Sequence, residues 1–169
     1  MRILFHGTSK DRQIFSEDSI GLGSDPNSAL GVHATHDPLY ALNYAEISHI
    51  LDDNSIKPIV FVLSYEEAGV DSIYDYDDFY GSYEDDTNTK DHFSDKRSIF
   101  MENGIDLVEF EGGEEPISTL LDPKKIKIIY KLDKIEVEEL SKILISKKID
   151  WHQNDLILET LKKLKEKIT

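Results

Sequence analysis

Two short strings near the start of the chain carry most of its candidate chemistry. The first is His-Gly-Thr-Ser at residues 6–9, and the second is Gly-Val-His-Ala-Thr at residues 31–35, which runs into the segment 37–45. Gly7 has no Cβ, so a ligand can approach its backbone closely, and its N–H and C=O groups can hold a flat carboxamide. His6 and Thr8 offer side-chain hydrogen bonds to ribose hydroxyl groups.

Tyr44 follows the second string at a position expected on a helix. Its aromatic face would stack on a flat ring such as nicotinamide, which is cationic in the oxidised cofactor, and His33 would stand close by. A strand-end histidine beside a turn glycine and a half-buried helical tyrosine are also common in purely structural roles. Taken together, the two strings predict that His6 and Tyr44 line one pocket shaped for a nicotinamide ribose.

A carboxylate is the third group that such a pocket requires. Cleavage of the bond between nicotinamide and ribose builds positive, oxocarbenium-like charge on the sugar, and an acidic side chain beside it stabilises that charge. The candidates cluster around Gly112 and Gly113, and they are Glu109, Glu111, Glu114 and Glu115. Glu115 stands just ahead of an apolar segment and is the expected catalytic acid, although several glutamates around two glycines are also typical of an exposed hairpin.

The rest of the sequence favours no other catalytic chemistry. The six histidines are scattered and spacing places no third ligand beside any pair of them, so no metal site is predicted. The chain has no cysteine, which excludes disulfides, thiolate zinc sites and cysteine nucleophiles. Neither a Gly-x-Ser-x-Gly elbow nor a phosphate loop or dinucleotide glycine fingerprint is present.

The chain is strongly acidic. Its 169 residues carry a formal net charge of −15, which repels nucleic acid backbones. Residues 66–95 hold 11 carboxylates against Lys90 alone, and this stretch is either a solvated loop or a surface that recruits a basic partner. Residues 1–5 form a short apolar strand rather than a signal segment, and no apolar run reaches membrane-spanning length. We therefore expect a cytoplasmic protein that does not contact membranes.

Hydrophobic patterning predicts an α+β fold with a split, mixed β core of short strands and flanking helices. Strands are predicted at residues 2–6, 29–34, 58–64, 104–110, 117–121 and 126–130, and helices at 37–51 and 93–103. Two further amphipathic segments after residue 133 predict a helical hairpin. We expect one domain over residues 1–131 and a helical appendage over residues 132–169, either packed on that domain or extending from it.

The ordered motifs resemble the ADP-ribosyltransferase fold, in the branch with a His-Tyr-Glu active site that includes diphtheria-toxin-like enzymes and poly(ADP-ribose) polymerases. Within it, the chain is most similar to small phage and bacterial domains. The motifs are His-Gly-Thr at 6–8, Gly-Val-His-Ala-Thr at 31–35, Ala-Leu-Asn-Tyr-Ala at 41–45, Gly-Ile-Asp-Leu at 104–107 and Asp-Pro-Lys-Lys-Ile-Lys at 122–127. They cover about residues 2–131 and leave the helical hairpin outside the resemblance.

The resemblance implies specific roles for these residues. His6 and Gly7 would bind the ribose and the carboxamide, and Tyr44 would stack on the ring. The expected NAD-binding residues are His6, Gly7, Thr8, Ser9, Arg12, Thr35 and Tyr44, and the expected catalytic residues are Glu115, His6 and His33. His33 takes the place of the first tyrosine of the branch. The family's glutamate position corresponds to Ile117, so Glu115, two residues earlier, is the candidate acid.

The activity implied by the resemblance is NAD-dependent ADP-ribosyl transfer to an acceptor, with release of nicotinamide. Because of the negative charge, a protein acceptor is favoured over a nucleic acid. Two alternatives stay open at this point. One is an acidic module of the same fold that binds another protein without catalysis, and the other is an NAD glycohydrolase that uses water as the acceptor.

Overall fold

The computed structural model describes residues 1–23, 25–51, 57–73, 79, 89–110 and 116–168. In chain order, these residues form the strands β1 (Arg2–Thr8), β2 (Val32–Thr35), β3 (Ile59–Tyr65), β4 (Val70–Ile73), β5 (Leu107–Phe110), β6 (Ile117–Leu120) and β7 (Lys127–Leu132). The helices are α1 (Pro38–Leu51), α2 (Lys90–Glu102), α3 (Lys134–Lys147) and α4 (Asn154–Ile168). Both parallel and antiparallel strand pairs occur. The fold is therefore of the α+β class with mixed strands and a C-terminal helix pair, as the sequence predicts.

The chain divides into two compact units. The first comprises residues 1–13, 35–65 and 128–169, and the second comprises residues 14–34 and 66–127. The predicted boundary at residue 131 therefore does not coincide with the division of the structure, because both units take segments from several parts of the chain.

The first unit contains β1, β3 and β7 in the order β1-β3-β7, so β3 lies between the other two. β3 pairs antiparallel with β1 over its whole length, with His6 opposite Phe61 and Gly7 opposite Val60. On the other side of β1, Phe5 pairs with Thr35, the last residue of β2. Successive residues of a strand point to opposite faces, so Phe5 and Gly7 face one side of β1 and His6 faces the other.

Helix α1 packs on the face of β1 that carries Phe5. Its start is encoded locally, since Asp37 accepts a hydrogen bond from the Leu39 N–H at 2.7 Å and Pro38 occupies the first helical position, where a proline costs no hydrogen bond. Its buried residues are Pro38, Ala41, Leu42 and Ala45. The predicted helix at 37–51 is confirmed together with its capping residue.

The C-terminal helix pair completes the core of the first unit. Asp133 and Glu136 form a reciprocal capping box that starts α3. The apolar residues that α3 and α4 bury in the same cluster as Phe5 and Leu42 are Val137, Leu140, Ile157, Leu161 and Leu164. The two helices thus cover the β1–β3 face with apolar surface and share its core.

The second unit contains β4, β5, β6 and the residues Val32–Ala34 of β2 in the strand order β4-β5-β6-β2. Its core residues are Ala29, Leu30, Phe93, Val108, Phe110 and Leu121. Asp106 ties the unit together, because its carboxylate accepts hydrogen bonds from the Ala68 N–H at 2.9 Å and from Lys125 Nζ at 2.5 Å. Strand β4 lies in the acidic stretch, where the sequence predicted no strand, and it pairs parallel with β5.

Candidate functional site

His6 lies near the carboxyl end of β1 and is half-buried. Its imidazole stacks on the ring of Phe61, its cross-strand neighbour, with the centroids 6.3 Å apart and the planes 16° from parallel. Phe61 is fully buried. The Lys131 ammonium lies 5.6 Å from the centroid of the same Phe61 ring, within the range of a cation–π interaction. The Phe61 ring on β3 is therefore contacted by the His6 imidazole from β1 and by the Lys131 ammonium from β7.

Lys131 and Asp11 are functional candidates that sequence reasoning missed. Lys131 on β7 forms an ion pair with Asp11, which follows β1 in the chain. Arg12 is the next residue, and burial lowers the pKa of its guanidinium from the ordinary value. Asp11 and Lys131 are 120 positions apart in the sequence, so no local pattern could have linked them.

Gly7 is required by the packing of α1. A Cβ on Gly7 would fall 1.7 Å from the Ala41 carbonyl oxygen and 2.9 Å from the Ala45 amide nitrogen, distances that no real side chain tolerates. The sequence suggested that the missing side chain admits a ligand. The structure shows that the space on this side of Gly7 is taken by the backbone of α1, so the glycine has a clear packing role.

The three hydroxyl residues of the predicted site are engaged in local hydrogen bonds. Thr8 Oγ1 accepts from the Lys10 N–H at 3.1 Å, and Thr35 Oγ1 accepts from the Asp37 N–H at 3.2 Å. Both bonds shape the turns that follow their strands. Ser9 Oγ lies 2.8 Å from Ser48 Oγ, which joins the end of β1 to α1. All three hydroxyl residues are buried.

Tyr44 lies on α1 with 49% of its surface exposed. Its ring meets that of Tyr40 edge to face, with the centroids 5.3 Å apart. Because α1 packs on the Gly7 face of β1, it lies on the face opposite to the His6 imidazole. That the two side chains line one pocket stays a prediction, and a ligand that touches both would have to pass the carboxyl end of β1.

His33 belongs to the second unit, where both of its ring nitrogens have partners. Nδ1 lies 2.8 Å from the Thr119 hydroxyl, and Nε2 lies 3.2 Å from the Asn27 carbonyl oxygen. A carbonyl can only accept, so Nε2 carries the proton and Nδ1 accepts from Thr119. Burial lowers the pKa of His33. The neutral ring fastens β2 to β6 rather than standing free as an acid or base.

Ile117 lies on the same strand as Thr119. Residues two apart in a strand share a face and lie about 6.6 Å apart along it, so Ile117 neighbours the position at which Thr119 meets His33. This is the residue that the family resemblance aligns with the catalytic glutamate. Glu115, the predicted catalytic acid, lies outside the described residues, as do Glu111 and Glu114, while Glu109 is on β5 opposite Ser118.

A second aromatic cluster lies in the first unit and was not predicted. The His36 ring stacks on Trp151 with centroids 4.1 Å apart. Burial, followed by the nearby charges of Arg2 and His152, lowers the pKa of His36 to about 4. The His36 Nδ1 atom is buried and has no hydrogen-bond partner among the described residues.

Two further findings concern the part of the chain that the structure describes. Within it, no cluster of three or more His, Asp or Glu side chains is arranged to bind a metal ion. Nor does any of its helices combine the length and the apolar character needed to cross a bilayer.

Comparison with known proteins gives no family assignment. No family model, no curated protein and no solved structure matches the chain. Any conclusion about function must therefore come from the residues and their geometry.

Proposed function

We propose that this protein is an NAD-dependent ADP-ribosyltransferase that transfers ADP-ribose from NAD to a protein acceptor and releases nicotinamide. The observation that supports the proposal is where the successive motifs lie in the fold. His6, Gly7 and Thr8 end β1, Thr35 at the end of β2 pairs beside them, and the next helix bears Tyr44 and packs on Gly7. Seven proposed NAD-binding residues fall in one compact unit.

The proposed binding mode follows from the two faces of β1. The nicotinamide ring would lie on the α1 side against the exposed ring of Tyr44, since a cationic pyridinium is attracted to an aromatic face. The ribose would pass the carboxyl end of β1 at Gly7 and Thr8. His6, held against Phe61, would then donate a hydrogen bond to a hydroxyl group on the opposite face.

Two cations of the first unit support this mode. The diphosphate of NAD needs cationic partners, and an acidic chain offers few of them. Lys131 and Arg12 both lie in the first unit, with Lys131 beside the Phe61 ring on which His6 stacks. Asp11 already neutralises part of the Lys131 charge, so a bound diphosphate would compete with Asp11 for this cation.

The proposed chemistry requires one bond to break and one to form. The bond between the anomeric carbon and the pyridinium nitrogen breaks, and its electron pair leaves with nicotinamide. A nucleophilic side chain of the acceptor then bonds to the anomeric carbon and loses its proton. We assign to Glu115 the stabilisation of the positive charge that develops on the sugar. Because this interaction is stronger in the transition state than in the bound substrate, it lowers the activation barrier.

Release of nicotinamide is the direct test of the catalytic claim. NAD labelled in the nicotinamide ring is incubated with the purified full chain, with and without a mixture of acceptor proteins, and free nicotinamide is measured. Loss of a group that stabilises the transition state costs about 10²–10³-fold in rate. The rate of nicotinamide release by Glu115→Gln is therefore expected to be lower than that of the wild type by this factor. The neighbouring Glu114→Gln is the matched control and should retain activity. If the wild-type chain releases no nicotinamide, the enzyme proposal fails.

A non-catalytic binding module is the second candidate, favoured by Ile117. This residue places an aliphatic side chain on β6 at the position that the resemblance gives to the catalytic acid. Such a module would bind a partner protein while leaving NAD intact. Ile117→Glu separates the two proposals: a gain of nicotinamide release in the variant over an inactive wild type favours the module, whereas wild-type turnover excludes it.

A further inference from the structure

The turn between α3 and α4, residues 148–153, carries the only tryptophan of the chain. Trp151 is 37% exposed, and its ring stacks on the His36 ring with the planes 29° from parallel. The ring of His152 lies against the same tryptophan, with the centroids 3.3 Å apart. His36 stands between the last residue of β2 and the start of α1. The stack therefore joins the turn to the point at which β2 leads into α1.

The His36 ring lies in surroundings that favour its neutral form. Its Nδ1 atom is buried and has no hydrogen-bond partner among the described residues, so a proton added there would lack an acceptor. Burial is the largest influence on the pKa of His36, and the charges of Arg2 and His152 add to it. A hydrogen bond to the backbone of Ile3 and the charge of Asp150 act in the opposite direction, and the resulting pKa is about 4.

The charged groups next to His36 come from three parts of the first unit. Arg2 on β1 and His152 on the turn place like charge beside a protonated ring. The Asp150 carboxylate on the turn accepts from the His152 N–H at 3.0 Å. On the His36 segment itself, the Asp37 carboxylate accepts from the N–H groups that start α1. Both carboxylates are thus already engaged in local hydrogen bonds, and a proton on His36 would meet like charge from two elements.

The turn has hydrogen bonds that do not depend on the stack. The Gln153 N–H donates to the Asp150 carbonyl oxygen at 2.9 Å, and the Asp150 N–H donates to Gln153 Oε1 at 2.8 Å. The start of α4 is anchored separately, since Asn154 Oδ1 accepts from the Ile3 N–H at 2.9 Å. The Trp151 ring can therefore leave the stack while the turn and α4 keep these bonds.

We propose that the stack of His36 on Trp151 is a latch that acid releases: when the buried imidazole takes up a proton, the two rings separate and the indole moves into solvent. Histidine is the side chain whose charge ordinarily changes in mildly acidic solution, and its protonated ring has a donor at both nitrogens. Attraction of a cation to the indole face opposes release, but burial of an unpaired charge costs more than such a contact contributes. The latch involves no NAD, so it is independent of the proposed enzyme activity.

Trp151 is its own reporter, because the chain has no other tryptophan. The emission spectrum of the full chain and its quenching by acrylamide are measured as the pH falls from about 6.5, the ordinary pKa of histidine, to about 4. The emission should shift to longer wavelength and quenching should increase, while the far-UV circular dichroism stays constant. By linkage, the ratio of released to latched molecules is expected to rise on the order of 10²-fold over this range.

Two variants assign the transition to one histidine. His36→Phe keeps a ring that can stack on Trp151 but cannot take up a proton, so its emission should not change over this range. His152→Gln is the matched control. Its transition should persist at somewhat higher pH, because one positive neighbour of His36 has been removed. A transition that persists unchanged in His36→Phe, or that disappears in His152→Gln, would overturn the proposal.

Three results with the wild type alone would also overturn it. Constant emission and quenching would show that the rings do not respond to acid. A loss of intensity without a spectral shift or greater quenching by acrylamide would show that the protonated His36 ring stays stacked on Trp151. A loss of far-UV circular dichroism with the same midpoint would show that the whole fold unfolds in acid, with no separate latch.

Discussion

Gly7 of β1 and Ala41 of α1 approach so closely that a Cβ on Gly7 would fall 1.7 Å from the Ala41 carbonyl oxygen. This contact fixes the distance between the strand that carries His6 and the helix that carries Tyr44. It also determines their directions, because a helix that packs on Gly7 lies on the face opposite to the side chains of the residues before and after it. The packing of α1 and the arrangement of the proposed NAD site thus have one origin.

Gly7→Ala is expected to destabilise the fold strongly. The obstructing atoms belong to the backbone of α1, so the helix must shift, and overpacking of this kind costs about 1–3 kcal/mol or more. Urea unfolding of both proteins measures the change. Ser48→Ala is the matched variant at the same junction, and it should cost only the one hydrogen bond to Ser9, about 1 kcal/mol. A Gly7→Ala midpoint equal to that of the wild type would refute the packing role.

Leu161→Ala tests whether the C-terminal helices belong to the core. Leu161 on α4 is fully buried in the cluster that contains Ile3 and Phe5, and truncation of such a leucine costs about 2–5 kcal/mol. Leu156 lies on the same helix but is 42% exposed, so Leu156→Ala should cost about 0.5 kcal/mol or less. The comparison is made by urea unfolding, and similar losses for the two variants would contradict the assignment of α4 to the core.

Local signals predicted much of the fold. Asp37 and Pro38 marked the start of α1, and the continuous apolar run after residue 58 marked β3, which spans Ile59–Tyr65. Strand β4 was missed because only Val70 and Ile73 are apolar within an acidic stretch. Its pairing with β5 comes from tertiary structure, which a local pattern does not contain.

The candidate site was less predictable than the fold. One feature of the site could have been predicted from the sequence. Side chains alternate along a strand, so His6 must point to the face of β1 opposite to the one on which Gly7 contacts α1. The bond from Thr119 to His33 joins residues 86 positions apart, and the pair of Lys131 with Asp11 spans 120. Such contacts depend on strand order, which composition and periodicity do not determine.

Thr119→Val should reveal the structural role of His33. The substitution keeps the shape of the buried side chain but removes the hydroxyl donor to Nδ1, and loss of one partner of a buried polar group costs about 1–3 kcal/mol. The readout is the free energy of unfolding together with the imidazole nitrogen shifts in NMR spectra. Ser118→Ala on the same strand removes a hydroxyl without touching this bond, and it should leave the His33 signals unchanged. Unaltered His33 shifts in Thr119→Val would contradict the assignment.

Asp106→Asn should weaken the second unit in a pH-dependent manner. Burial alone would raise the pKa of Asp106, but hydrogen bonds from Lys125, Ala68 and Gly69 outweigh it and hold the pKa below its usual value. The stabilisation is therefore present above the unfolded-state pKa of about 3.9 and is lost as the pH falls through the lower folded-state pKa. In urea unfolding, the free energy of unfolding of Asp106→Asn should be about 1–3 kcal/mol lower than that of the wild type at neutral pH. This difference should become smaller as the pH falls. The exposed Asp95→Asn is the control, and a deficit that does not change with pH would contradict this account.

His36 should make stability rise with pH in the mildly acidic range. Its folded-state pKa of about 4 lies below the unfolded value of about 6.5, so between these values the unfolded chain binds more protons than the folded one. The contribution is complete above about pH 6.5 and is lost as the pH falls toward the folded-state pKa, with an upper limit of about 3 kcal/mol. His36→Phe keeps a ring that can stack on Trp151 but cannot titrate. The other titratable groups are the same in both proteins, so their contributions to the pH dependence of the unfolding free energy cancel in the comparison. The unfolding free energy of the wild type relative to His36→Phe is therefore expected to increase between pH 4 and 6.5, and a constant difference across that range would show that His36 is not the group responsible.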